Sequence, residues 1–298
     1  MSNGIQYFIL DVFTSQAFAG NQLAVFPSSD GLESRTMQSI ANELNLAETV
    51  FVGSARQPNR YPIRIFTPAM ELPFAGHPTV GTAHLLAELG LASGDCPLIL
   101  EAGVGPLAVT FENDLAWFTT TQAVEIKNST LSRNNAAQLL GLEDSGVISE
   151  PVLASCGLPY HLIELDSLKS LELARPSPDF WANWVSPSGY DQIYLYVSLK
   201  ASDHGDSLRS RMFSTPGGVC EDPATGSAAA ALVGVLVTDK PGAGVWRWEI
   251  QQGIEMGRPS QIFAEAERDG SGAGIRIGGK AVVVGSGAIK SSATKSWR

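Results

Sequence analysis

The sequence predicts an α+β protein built twice, each half with strands before and after a helix, and three observations carry that expectation. First, His77-Pro78-Thr79-Val80-Gly81-Thr82-Ala83 is answered about half a chain later by Asp222-Pro223-Ala224-Thr225-Gly226-Ser227-Ala228, and an apolar run follows each. Second, upstream of these motifs, Arg64-Ile65-Phe66-Thr67-Pro68 is answered by Arg211-Met212-Phe213-Ser214-Thr215-Pro216, with one inserted residue. Two matches in the same order point to a duplicated domain. Third, strand-like segments precede and follow one helix per half without regular βαβ alternation, which favours α+β over α/β.

Taken in order, Tyr7 to Phe13 is rich in β-branched and aromatic residues and reads as a strand. Gly20-Asn21 is a turn, and Leu23 to Phe26 a second strand. From Leu32 to Leu44 the apolar residues Met37, Ile40, Ala41 and Leu44 fall at helical spacing, with Ser34 and Thr36 near the start. Thr49 to Val52 and Ile63 to Phe66 read as further strands. A short helix is expected from near Ser132 to Gly141. The second half then repeats the plan, with strands at Val152 to Ala154 and His161 to Ile163 around a turn at Gly157-Leu158-Pro159. A helix near Phe180 to Val185 and a strand from Ile193 to Val197 follow. Gly270-Ser271-Gly272-Ala273-Gly274 lies between two strand-like segments and opens no helix, so it is expected to be a hairpin rather than a dinucleotide loop. The polar tail from Lys290 is expected to fray. The first half spans 1–118 and the second 119–280; a C-terminal strand near 281–290 is a candidate to cross back to the first.

Composition narrows the function. The 298 residues suit two domains of ordinary size. With 44% hydrophobic and 17% charged residues, the chain has enough apolar material for real cores. A net charge of −10 speaks against nucleic acid or an anionic membrane as main partner. It leaves room for a small anionic substrate held in a locally positive pocket. Neither a membrane span nor a secretory signal is expected, because no run of 18 apolar residues occurs and Met1-Ser2-Asn3-Gly4 opens no basic-then-apolar stretch. Cys96, Cys156 and Cys220 are odd in number and widely spaced, which fits a reducing cytoplasm better than a disulfide framework. His77, His84, His161 and His204 form no HxH or HExxH pattern, so no metal site is expected.

The repeated motifs place Pro and small residues where a helix begins, leaving N–H groups that could face an anion. Ordinary caps on core helices are the alternative for either motif alone; their matching positions favour a shared site, with both helix starts facing one cleft. Glu48, in Leu46-Ala47-Glu48-Thr49-Val50-Phe51, is either an exposed strand-end acid or a carboxyl in a dry cleft, raised toward the range useful for moving protons. Its counterpart in the second half is Gln192, which cannot titrate. Asp222 reads first as a helix cap, Cys220 as a buried inert thiol and His84 as a core residue.

At these residues the chain resembles the PhzF-like branch of the diaminopimelate epimerase-like superfamily. The resemblance rests on Gly20-Asn21 with Ala24-Val25-Phe26, Asn45-Leu46-Ala47-Glu48-Thr49, Leu72-Pro73-Phe74-Ala75-Gly76-His77-Pro78-Thr79, Glu221-Asp222-Pro223-Ala224-Thr225-Gly226-Ser227-Ala228 and Gln252-Gly253-Ile254-Glu255-Met256-Gly257-Arg258-Pro259-Ser260. Gln22 stands where the family pattern has Pro. The resemblance implies two pseudo-symmetric halves, each a curved sheet wrapped around a central helix, with the active site between them. It also implies a homodimer and no cofactor. Its type enzyme isomerises trans-2,3-dihydro-3-hydroxyanthranilate in phenazine synthesis. The catalytic glutamate of the family matches Glu48, and its substrate-binding or proton-handling residues match His77, Asp222 and Ser227, beside Gly76 and Gly226. Epimerases of the superfamily use two cysteines, and the matching positions here hold none. The expected function is therefore an isomerase that moves a proton within a small carboxylated, cyclic or unsaturated metabolite. The alternatives are an amino-acid-type epimerase or racemase using Glu48 with His77 or Asp222, and a non-catalytic binding protein.

Overall fold

The structure, a computed structural model, describes residues 4–93, 96–215, 219–269 and 272–290. The chain divides into two units, Met1–Ala116 with Lys280–Arg298, and Trp117–Gly279.

In the first unit, β1 (Ile5–Val12) and β2 (Asn21–Phe26) form an antiparallel hairpin. Helix α1 (Ser34–Leu44) then leads to β3 (Glu48–Val52), which runs parallel to β2 with Glu48 opposite Leu23. The buried face of α1 is Met37, Ile40 and Ala41, and the helix ends at Asn45 in the left-handed region, φ 51°. That short polar side chain is one of the few that tolerates this conformation. Phe26, Phe51 and Phe66 pack with this face, and Phe26 and Phe51 stack with their rings 4.8 Å apart. Next come β4 (Arg60–Phe66), antiparallel to β3, and the short β5 (Glu71–Leu72), antiparallel to β4. After α2 (Gly76–Glu88), β6 (Leu98–Ala102) pairs parallel to β4, and β7 (Gly105–Glu112) antiparallel to β6. Helix α2 is apolar nearly all round, the mark of a buried helix, and packs on β1, β2, β3 and β7. It approaches the sheet so closely that a Cβ at Gly81 would lie 2.6 Å from Leu23 Cδ2 and 2.7 Å from Val12 Cγ2.

The second unit follows the same connectivity. It contains part of β8 (Leu115–Thr119), then β9 (Glu125–Asn128), α3 (Arg133–Leu140), β10 (Val152–Ser155), β11 (Pro159–Glu164), α4 (Leu168–Leu173), α5 (Pro178–Trp184), β12 (Gln192–Ser198), β13 (Asp206–Ser214), β14 (Cys220–Asp222), α6 (Gly226–Leu236), β15 (Gly244–Gln252), β16 (Ser260–Asp269) and β17 (Gly272–Gly279). β10 and β11 form the hairpin, and β12 pairs parallel to β11. β13 and β14 follow antiparallel, β15 pairs parallel to β13, and β16 and β17 complete the meander. Helix α6, almost wholly buried, packs on β10, β11, β16 and β17. The outer neighbour of β10 is β9; in the first unit the matching place beside β1 is taken by β18 (Ala281–Ile289). The register confirms the repeat residue by residue. Thr49 faces Phe66 across β3–β4, and Ile193 faces Phe213 across β12–β13, so Glu48 and Gln192 occupy equivalent positions.

Several local expectations need correction. The motif helices start at Gly76 and Gly226, so Pro78 is the third residue of α2 and Pro223 precedes α6. The residue before α6 is Thr225, in extended conformation, and Asp222 ends a strand instead of capping the helix. Two helices, α4 and α5, stand where one was expected; the six residues of α4 are too few to show a helical period. Cys220 is exposed on β14, not buried, and His84 is only half-buried, its ring edge-on to Phe111. The short helix α3 has the predicted ends: the Ser132 hydroxyl accepts from Asn135 N–H, and Gly141 closes it at φ 68°. Asp269 pairs with Gly272 across β16–β17, and a strand follows the glycine-rich stretch. Met1 to Asn3, Pro216, Gly270-Ser271 and the residues beyond Lys290 lie outside the described residues. Among the described residues no helix is long and apolar enough to cross a membrane.

Candidate active site

In the first unit the structure brings Glu48 and His77 together. Glu48 opens β3 directly after the left-handed Asn45 turn, and its side chain is 16% exposed. His77 is the second residue of α2 and is buried. His77 Nε2 lies 3.1 Å from Glu48 Oε2, close but poorly aligned for a hydrogen bond. Such pairs often tighten only when substrate is bound. On the ring's other side, Nδ1 is 3.3 Å from the Asn21 amide nitrogen, and Asn21, the first residue of β2, is itself buried. Burial pushes the His77 imidazole down to about 3, although a hydrogen bond with the Gln22 backbone works the other way. The ring is thus neutral near pH 7, and Glu48 faces a hydrogen-bonding group, not a cation. Gly76, the first residue of α2 and next to His77, is buried.

The second unit assembles a different cluster from the matching elements. Asp222 closes β14, opposite Met212, and the Thr225 hydroxyl donates to its Oδ2. Ser227 is the second residue of α6, as His77 is of α2, and its Oγ is 2.7 Å from the hydroxyl of the buried Tyr160 on β11. Gly226 opens the helix and is buried. Behind Asp222 lies the carboxamide of Gln252, wholly buried at the end of β15. Its Nε2 donates to the Asp222 carbonyl at 2.8 Å and to Thr225 Oγ1 at 3.0 Å. The Gln252-to-Ser260 motif is therefore a brace for the Asp222 turn. Gly253 (φ 74°) must be glycine here, because a Cβ would lie 2.5 Å from Pro223 O, and Ser260 Oγ donates to that same carbonyl at 2.9 Å.

Across residues 10–287 the chain matches the family described as phenazine biosynthesis-like protein, PhzC-PhzF. It belongs to this PhzF-like family. It is 38% identical to an uncharacterized isomerase of Mesorhizobium japonicum, over 95% of this chain and 98% of that one. It is 35% identical to the trans-2,3-dihydro-3-hydroxyanthranilate isomerase of Pseudomonas chlororaphis, with the same coverage of 95% and 98%. Among solved structures, a PhzF-family protein of Bacillus anthracis superposes with a TM-score of 0.87 at 25% identity, over 96% of this chain and 99% of the other. The α+β fold is that of the PhzF-like and diaminopimelate epimerase-like proteins.

Within this PhzF-like isomerase family, the residues that sequence reasoning missed are Tyr160, Tyr194, Thr225 and the specific role of Gln252. Tyrosines on apolar strands read as core, and nothing in the pattern says which hydroxyl meets a helix start. Gln252 did carry a signal, since a carboxamide at the end of an apolar strand and before a glycine invites a buried partner. Among the described residues no group of three or more His, Cys, Asp or Glu side chains is placed to hold a metal ion.

Proposed function

We propose that the protein is an isomerase in which Glu48 moves a proton between two carbons of a small carboxylated, cyclic or unsaturated metabolite. The observation that carries this reading is the Glu48–His77 contact: a mostly shielded carboxyl 3.1 Å from an imidazole that burial keeps neutral. Because His77 is neutral, it does not hold the Glu48 carboxylate as a cationic partner would. Ionised Glu48 takes a proton from an sp³ carbon next to a double bond. The pair of the broken C–H bond becomes a new C=C as the old double bond shifts, and Glu48 returns its proton to the far carbon. Substrate and product then have the same formula, and the carboxyl ends as it began. Asp222 and Ser227 serve substrate binding or proton handling in the same reaction. Relatives named trans-2,3-dihydro-3-hydroxyanthranilate isomerase support that compound as the first substrate to assay.

The test is Glu48→Gln, assayed with that compound and with analogues of the same unsaturated amino-acid type. General acid–base groups contribute roughly 10²–10⁴-fold, so turnover is expected to fall by at least about 100-fold while ligand binding persists. Turnover above about a tenth of wild type would remove Glu48 from the role. Gln192 at the equivalent position cannot titrate, so the single-carboxyl reading also requires delivery to the same face of the substrate. Product stereochemistry after reaction in deuterated water reads this directly, and opposite-face delivery would favour the epimerase alternative.

A further inference from the structure

The hydrogen bonds around Gln252 have a definite direction, and backbone groups set it. Gln252 Oε1 accepts from Thr225 backbone N–H at 3.2 Å, which can only donate; Nε2 donates to the Asp222 carbonyl at 2.8 Å, which can only accept. The amide therefore has one orientation, free of the usual O/N ambiguity. Its second N–H goes to Thr225 Oγ1 at 3.0 Å, so the Thr225 hydroxyl is an acceptor toward Gln252 and spends its own proton on Asp222 Oδ2. At the other end, Tyr194 OH donates to Gln252 Oε1 at 3.1 Å and lies 2.8 Å from Ser210 Oγ, which also donates to the Gln251 carbonyl at 3.4 Å. Burial pushes the Tyr194 phenol up, so it remains a donor at every working pH. The result is a one-way relay from Tyr194 through Gln252 and Thr225 to Asp222. Among the described residues, Tyr160 on β11 lies near the relay, and the Arg211–Glu221 ion pair joins the same strands β13 and β14.

We propose that Gln252 is a positioning residue: it fixes the Thr225 hydroxyl as a donor and thereby holds Asp222 as a proton acceptor, ionised before substrate arrives. The inference rests on Asp222 taking part in the reaction proposed above, but its physical content does not need substrate. A hydrogen bond to a charged group is worth roughly 1.5–3 kcal/mol, equivalent to about one to two pH units in the titration of its carboxyl.

The experiment follows the Asp222 side-chain carboxyl by carbon-13 NMR in the full chain, comparing wild type with Gln252→Glu, Thr225→Val and Thr225→Ser. A glutamate at 252 draws the Thr225 hydroxyl toward itself, and valine removes the hydroxyl. Both are expected to raise the Asp222 midpoint by about one to two pH units. Thr225→Ser keeps the donor and is expected to restore the wild-type midpoint. If Gln252→Glu does not fold, the valine and serine pair decides alone. An unmoved midpoint in folded Thr225→Val, or in folded Gln252→Glu, overturns the proposal. The acidic limb of the kcat/KM profile is then measured on the same variants. A midpoint that moves while that limb stays fixed upholds the relay and instead removes Asp222 from the catalytic reading.

Discussion

At the scale of single residues, the neutrality of His77 gives the fold a pH-dependent stability. In the unfolded chain a histidine titrates near 6.5, whereas burial in the fold depresses His77 to about 3. As pH falls below about 6.5 the unfolded state binds a proton that the folded state refuses. The contribution to stability is therefore complete above that pH and shrinks until about pH 3, at up to roughly 1.4 kcal/mol per pH unit. His161, which burial lowers to about 4 between the Ser129 and Ser188 hydroxyls, adds a second such proton over the upper part of the same window. In urea titrations between pH 6.5 and 4, His77→Asn should lose stability less steeply than wild type, by up to one proton. Equal slopes would mean that His77 is already charged in the fold. The identities of Glu48 and His77 were legible in the sequence because each stands in a distinctive motif. Their distance was not, since it depends on β3 lying parallel to β2 beneath the start of α2. Nor was the neutral ring, because burial is a property of packing.

At the scale of elements, the repeated Arg-x-Phe segment proves to be a clamp made twice. Arg64 on β4 grips Glu71 on β5 through two hydrogen bonds of 2.7 and 2.6 Å, and Arg211 on β13 grips Glu221 on β14 at 2.8 and 2.9 Å. Each guanidinium also lies over the phenylalanine two residues on, Phe66 or Phe213. In both units the clamp fixes the short strand that delivers the motif helix. Their energetic weight differs with burial. The first pair is 34% and 43% exposed, the second 4% and 16%, and Arg211 further donates to the carbonyls of Leu171 and Ala174. An exposed pair contributes about 0–1 kcal/mol, whereas stripping one partner from a buried pair costs roughly 3–5 kcal/mol. Glu221→Ala should thus lower the chemical-denaturation free energy by about 3 kcal/mol, and Glu71→Ala by less than about 1 kcal/mol. Similar losses at both positions would show that burial does not separate them. The sequence revealed the arginine repeat because arginine and phenylalanine keep a fixed spacing on one strand. It hid the matching acids, because the link to β14 is longer than the link to β5. It also placed Pro223 at a helix start by analogy with Pro78, when the Asp222 turn, braced by Gln252, delays the helix until Gly226.

At the scale of the whole molecule, both units share one connectivity, but they close it differently. The second is a single stretch, Trp117–Gly279, and finds the neighbour of β10 close by in β9. The first borrows the equivalent strand from the far end of the chain, with Ile5 paired to Ile289 and Val12 to Ala281. This difference sets a timetable for synthesis. A ribosome adding about 5–20 residues per second completes the second unit while β1 still waits, on the order of tens of seconds, for its last partner. During that interval one edge of β1 is an open template for other chains, the hazard that sheet edges carry. Nascent chains stalled with Gly279 outside the exit tunnel and no β18 should therefore resist brief proteolysis across the second unit and be cut within the first. Protection of both at that length would show that β18 is dispensable. A chain truncated after Lys280 should pellet from lysate while the intact chain stays in the supernatant. The last strand made is the one that retires the oldest exposed edge.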